Sequence, residues 1–135
     1  MKKNPTLLVV AAALIRADGR ILLQQRAPGR SMAGLWEFPG GKVEDGEIPE
    51  AALARELAEE LGIETAIADL APACFASARN GPGHMLLLLY LCRRWRGAPQ
   101  ALDASALQWV DLGQMPALDM PPADRPLIAL LDALL

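Results

Sequence analysis

Nine consecutive apolar residues, Leu7 to Ile15 (LLVVAAALI), narrow the folds open to this chain more than any other feature. The run shows no alternation of apolar and polar positions, so a strand made from it must be covered on both faces. It falls well short of the ~18 apolar residues of a membrane span. With the basic Lys2 and Lys3 ahead of it, its length is also that of a secretory leader. However, it runs straight into RADGRILLQQR, with no polar cleavage region between, so it reads as a core strand.

The rest of the chain gives strands and two helices. Asp18-Gly19 is a hairpin signal between the first run and ILLQQR. APGRSMAGLWEFPGGK reads as a loop from its glycines and prolines. Pro49 to Leu61 reads as a helix: Pro49 suits a first turn, Glu47 and Glu50 favour its start, and Gly62 stops it. IETAIADLAPACFASAR gives one or two strands with a break near Pro72, and Asn80 to Gly83 a turn. HMLLLLYLCRRW is a long buried strand and LQWVDL a short one. A closing helix presents Leu127, Leu130, Leu131 and Leu134 as its apolar face. Strands mixed with two helices argue an α/β or α+β class with helices packed on a sheet.

The length of 135 residues suits one domain spanning 1–135, and 53% hydrophobic residues provide ample core. The net charge of −3 marks no general DNA or RNA binder. A nucleotide remains a possible partner, because a metal can supply positive charge. Cys74 and Cys92 have no metal-ligand spacing; they read as reduced thiols near strands, which fits a cytoplasm.

The Pro49–Leu61 helix carries the chemistry. At 100° per residue, Leu53, Leu57 and Leu61 make an apolar stripe, and Ala54 and Ala58 extend it. Glu56, Glu59 and Glu60 share an adjoining arc. Like charges three and four apart repel, so something positive belongs against them. Arg55 precedes the first and reaches back toward the preceding loop. Three carboxylates beside a glycine-rich loop suit a hard cation that takes oxygen ligands and shares them with phosphates, as Mg²⁺ does. Gly40 and Gly41 let the backbone approach, so that a carbonyl can join the coordination.

The spacing is specific. Gly41, Glu47, Arg55, Glu56, Leu57, Glu59, Glu60, Gly62 and Ile63 match every position of the signature of the Nudix hydrolases, which this stretch resembles. At residue frequencies near ~7%, the seven fixed positions match by chance on the order of 10⁻⁸ per start site. The resemblance implies an α/β/α sandwich around a mixed sheet and hydrolysis of a nucleoside diphosphate linked to another group, with Mg²⁺ or Mn²⁺. It implies Glu56, Glu59, Glu60 and the Gly40 carbonyl as metal ligands and Arg55 as the residue orienting a carboxylate. Glu47 would brace the loop or sit near the metals.

MAGLWEFPGGK, RRWRG and MPPADRPLI also look like the MutT branch, which releases a monophosphate and pyrophosphate from triphosphates such as 8-oxo-dGTP. By that likeness Arg26 contacts substrate. Asp103 stands where a loop glutamate binds metal or acts as base, and it is one methylene shorter. Asp124 stands where an Asn reads 8-oxoguanine. A neutral Asp would mimic the amide, whereas an ionised Asp can only accept and suits an amino group such as cytosine N4. An N-cap role for Asp124 is compatible with either. His84 reads as a strand-end residue, Trp36 as packing with room for base stacking, and Glu37 as a pocket or strand-capping residue. Asn80 and Gly83 stand where the branch places further base contacts, which this sequence does not keep.

The expectation is a cytoplasmic, monomeric, Mg²⁺-dependent pyrophosphohydrolase of oxidised purine triphosphates that sanitises the nucleotide pool. Its rivals are a CTP, dCTP or 5-methyl-dCTP enzyme, a hydrolase of nucleotide sugars or ADP-ribose, and a nucleotide-binding module without catalysis.

Overall fold

A computed structural model describes residues 5–135; Lys2 and Lys3 lie outside the described residues. The first apolar run forms β1 (Thr6–Leu14). It lies in the interior of a four-stranded mixed sheet, parallel to β6 (Gly83–Cys92) and antiparallel to β4 (Gly40–Lys42), with β5 (Leu70–Asn80) beyond β6. Thr6 to Leu14 face His84 to Cys92 residue for residue, so the two apolar runs pair along their whole length.

Both faces of β1 are covered. Val10, Ala12 and Leu14 pack with Ala52, Leu53, Leu57 and Leu61 of α1 (Pro49–Leu61). Ala11 and Ala13 pack on the other side with Leu127, Ile128 and Leu131 of α2 (Arg125–Leu134). The result is an α/β/α sandwich. Each fully buried leucine on these helices contributes about 1.5–3 kcal/mol, so the layers hold mainly by burial.

Several expectations are corrected. The Asp18-Gly19 turn forms, with Gly19 at φ +85° and Arg16 N–H bonded to Arg20 O at 2.9 Å. Beyond the Ile15–Ile21 bridge, however, the strands part. β2 (Ile21–Gln25) joins β3 (Trp36–Glu37) and β7 (Ala106–Val110) in a second, antiparallel sheet. The stretch read as one loop contains β3 and β4, of two and three residues; they exist through pairing with β2 and β1 and have no pattern of their own. On α2, Ile128 is buried while Leu130 and Leu134 are 42% and 54% exposed. On α1 it is Ala52 that extends the stripe; Ala58 is exposed.

α1 ends at Gly62, whose φ of +69° allows its N–H to reach Ala58 O. The break expected near Pro72 is a bulge between Pro72 and Cys74 inside β5. Cys74 and Cys92 are free thiols. Among the described residues, no helix is long and apolar enough to cross a membrane.

Candidate active site

A cleft of about 630 Å³ opens where the loop after β2, the turn from β3 to β4, α1, the loop before β7 and the segment before α2 meet. Glu56, Glu60, Gly40 and Gly41 line one part of it, with Arg26, Glu37, Phe38, Asp103 and Asp124 also on its walls.

Both glycines belong to β4, which packs on α1. Gly40 pairs with Ala11 of β1 in the sheet, and a Cβ there would run into the Val10 carbonyl oxygen. A Cβ on Gly41 would land in the Glu56 carboxylate. The backbone therefore sits directly on the two glutamates nearest the apolar stripe. Glu60 Oε2 accepts the Gly40 N–H at 3.0 Å, and Glu60 Oε1 accepts from Gln24 Nε2 at 3.4 Å.

Burial pushes the Glu60 carboxyl up to about 8, and the neighbouring Glu56 charge adds to it. Burial raises Glu56 as well, against the pull of Arg55. Glu59 differs. Its side chain is 60% exposed, it lies outside the cleft, and one oxygen accepts from Arg55 Nη1 at 3.3 Å.

Arg55 is the organiser of this helix face. Its guanidinium donates to Glu47 at 2.7 and 2.9 Å, to Glu56 at 3.0 Å and to the Lys42 carbonyl at 3.2 Å. Glu47 also accepts the Glu44 N–H at 2.9 Å, closing the loop before the helix. The Arg55 hydrogen bonds, followed by that N–H, hold the Glu47 carboxyl down at about 2.

The donor set is all oxygen and all acidic, which suits a hard divalent cation. Burial and mutual repulsion raise both carboxyls; Glu56 has Arg55 at 3.0 Å, whereas Glu60 has no cation paired with it among the described residues. As the side chains lie, no three acidic, histidine or cysteine groups among the described residues converge closely enough to hold an ion. The reason is visible: Arg55 engages Glu56 and Glu59, while Glu60 turns to Gly40 and Gln24.

Across the cleft, Arg26 Nη1 donates to Glu37 Oε1 at 2.6 Å and Arg26 Nε to the Ser31 carbonyl at 2.8 Å. Burial raises the Glu37 carboxyl despite that partner. Asp124 is buried, and its Oδ2 accepts the Phe38 N–H at 3.2 Å. Burial pushes its carboxyl up to about 7; the Phe38 hydrogen bond and Arg26 act downward, and Glu37 acts upward. Asp124 occupies the position before α2, yet its side chain makes no capping bond there, which corrects the N-cap reading. Asp103 Oδ1 accepts from Arg30 Nη2 at 2.6 Å. Trp36 is half-buried against the α2-side core, and His84 is exposed, 3.4 Å from Thr6 Oγ1.

Two cleft residues escaped the sequence reading. Gln24 is 3% exposed, and its Oε1 has no partner among the described residues. It hid inside an apolar strand, where only the cleft gives it a role. Arg30 sits in a turn-rich loop and no pattern singles it out.

Residues 5–131 match the NUDIX domain family, and the chain belongs to that family. The chain is a Nudix hydrolase of the MutT type, an enzyme acting on phosphoric anhydrides. It is 38% identical over 133 residues to the 8-oxo-dGTP diphosphatase of Escherichia coli, covering 94% of this chain and 98% of that one. It is 39% identical over 123 residues to the CTP pyrophosphohydrolase of the same organism, covering 90% and 89%. The solution structure of the E. coli ORF135 protein superposes with a TM-score of 0.86 at 37% identity, over 97% of this chain and 91% of that one.

Proposed function

We propose that the enzyme hydrolyses oxidised purine nucleoside triphosphates such as 8-oxo-dGTP to the monophosphate and pyrophosphate, with Mg²⁺ or, in its place, Mn²⁺. It would act as a monomer on the free nucleotide pool of the cytoplasm and so protect replication fidelity. The observation that carries this reading is one cleft holding both Glu56 and Glu60 and the buried Asp124. The first pair suits a metal–polyphosphate group, and the last suits a base edge.

In this reading Glu56, Glu59, Glu60 and the Gly40 carbonyl would hold the metal. Glu59 is exposed and held by one bond to Arg55 at 3.3 Å, which it would give up to turn inward. Bound there, a divalent ion would neutralise phosphate charge and lower the pKa of a water. The chain's own residues do the rest. Glu47 fixes Arg55, and Arg55 fixes the Glu56 carboxylate. Asp103 or one of the helix glutamates takes the proton of the attacking water. Arg26, held by Glu37, flanks the nucleotide. A neutral Asp124 donates to O6 and accepts from N7–H of 8-oxoguanine, as an amide would.

The pyrimidine reading has support of its own. Ionised, Asp124 accepts but cannot donate, which suits an exocyclic amino group, and one relative is named for CTP. The two separate in a panel of kcat/KM values for 8-oxo-dGTP, dGTP, CTP and 5-methyl-dCTP, following pyrophosphate release with Mg²⁺. We expect 8-oxo-dGTP to lead. A lead for the cytosine nucleotides would transfer the enzyme to the second reading, and no pyrophosphate from any of them would end both.

A further inference from the structure

We propose that Arg30 is a polyphosphate-recognising residue of this site, and that it reaches the phosphates by exchanging Asp103 for them. The inference rests on the reading of the cleft as a triphosphate site, and it assigns a role to a residue that reading leaves out.

Two arginines on the loop after β2 line the cleft, Arg26 and Arg30. They are held in different ways. Arg26 is fixed by Glu37 at 2.6 Å, the Ser31 carbonyl at 2.8 Å and Ser31 Oγ at 3.3 Å, with its side chain 26% exposed. Among the described residues Arg30 has one ionic partner, Asp103, at 2.6 Å, and the two side chains are 54% and 44% exposed. An exposed ion pair of this kind contributes little net stability, because water and salt compete for both partners. It is cheap to exchange for a ligand of higher charge.

The loop is built for such an exchange. Its base is closed by Arg26 N–H to Leu35 O and Gly34 N–H to Arg26 O, both 2.9 Å. Between these anchors, residues 28–34 are exposed. Ser31 is held by Arg26, whereas Arg30 beside it has a long backbone bond to Ala27 O at 3.4 Å and an exposed side chain that can swing without moving the loop.

The charges of the cleft point the same way. Glu37, Glu56, Glu60, Asp103 and Asp124 line it against four cations, Arg26, Arg30, Lys42 and Arg79, and Arg26 is already engaged by Glu37. A triphosphate adds several negative charges, and a metal at the α1 end meets only part of them. A guanidinium offers a planar fork of donors suited to phosphate oxygens. Exchange also releases the Asp103 carboxylate at the moment substrate arrives, so the loop aspartate becomes available only when there is something to act on.

The test is direct binding of a deoxyguanosine triphosphate analogue with a methylene between its α and β phosphorus atoms, beside the monophosphate, both with Mg²⁺. Wild type, Arg30→Gln and Arg30→Lys are compared by calorimetry. We expect Arg30→Gln to bind the triphosphate analogue about tenfold more weakly, the scale of one charge-assisted hydrogen bond. Monophosphate affinity should stay within about twofold, and Arg30→Lys should recover part of the loss. Unchanged triphosphate binding in Arg30→Gln would overturn the proposal. An equal loss for both ligands would also overturn it, because it would mean that Arg30 shapes the site and does not read phosphate. If wild type itself fails to prefer the triphosphate analogue, the triphosphate reading of the cleft falls, and this inference with it.

Discussion

The carboxylate of Asp124 accepts the backbone N–H of Phe38 at 3.2 Å, tying the segment before α2 to the strand end that leads into Gly40. That bond needs only an acceptor, so an amide oxygen can replace it. Burial holds the carboxyl up near 7, above its ordinary value of 3.8. A carboxyl raised on folding contributes stability that is full below its unfolded value and is lost as pH rises through its folded value. Asp124→Asn keeps the hydrogen bond and removes the charge. We expect the variant to gain stability over wild type between about pH 4 and pH 7, by a few kcal/mol, on the order of 1.4 per pKa unit. Denaturant midpoints at several pH values measure this; a variant less stable than wild type at pH 8 would contradict the burial argument.

Glu59 is the most exposed of the three helix glutamates and contacts only Arg55 among the bonds described above. Glu59→Gln should therefore leave the melting temperature nearly unchanged while turnover falls by about two orders of magnitude or more, if it joins the metal. Near-normal turnover would remove it from the metal set.

Gly40 and Gly41 are adjacent, and their Cβ positions meet different atoms. Gly40→Ala meets the fixed backbone of β1 and should destabilise the fold by about 3 kcal/mol. Gly41→Ala meets the movable end of Glu56. It should keep the fold and lower activity by about 100-fold through a displaced carboxylate. Thermal melts and kcat on the purified pair separate the two; equal stability losses would contradict the distinction.

Glu47 lines no part of the cleft, but it holds two donors of Arg55. Glu47→Gln weakens that clamp at the surface. We expect activity to fall about 10- to 100-fold with little change in melting temperature, and an unchanged kcat/KM would show that Arg55 needs no brace.

Much of this was legible in the sequence, for physical reasons. The boundaries of α1 follow from Pro49 and Gly62, which act locally, and the buried strands follow from unbroken apolar runs. The parting of β1 and β2 into two sheets was not legible, because Asp18-Gly19 specifies a turn and not the path of the strands beyond it. β3 and β4 have too few residues to show a period. Glu56, Glu59 and Glu60 share an arc on a helical wheel, but the wheel says nothing of the loop that covers two of them and leaves Glu59 in water. Asp124 reads locally as a cap, and only the fold brings Phe38 to it across 86 positions.

The most direct test of the central claim is the ratio of kcat/KM for 8-oxo-dGTP to that for CTP, measured from pH 5.5 to pH 9. With Asp124 near 7, the account predicts a ratio well above one at low pH that declines as Asp124 ionises and levels off above about pH 8. A ratio that favours CTP throughout, or one that does not change with pH, would contradict it.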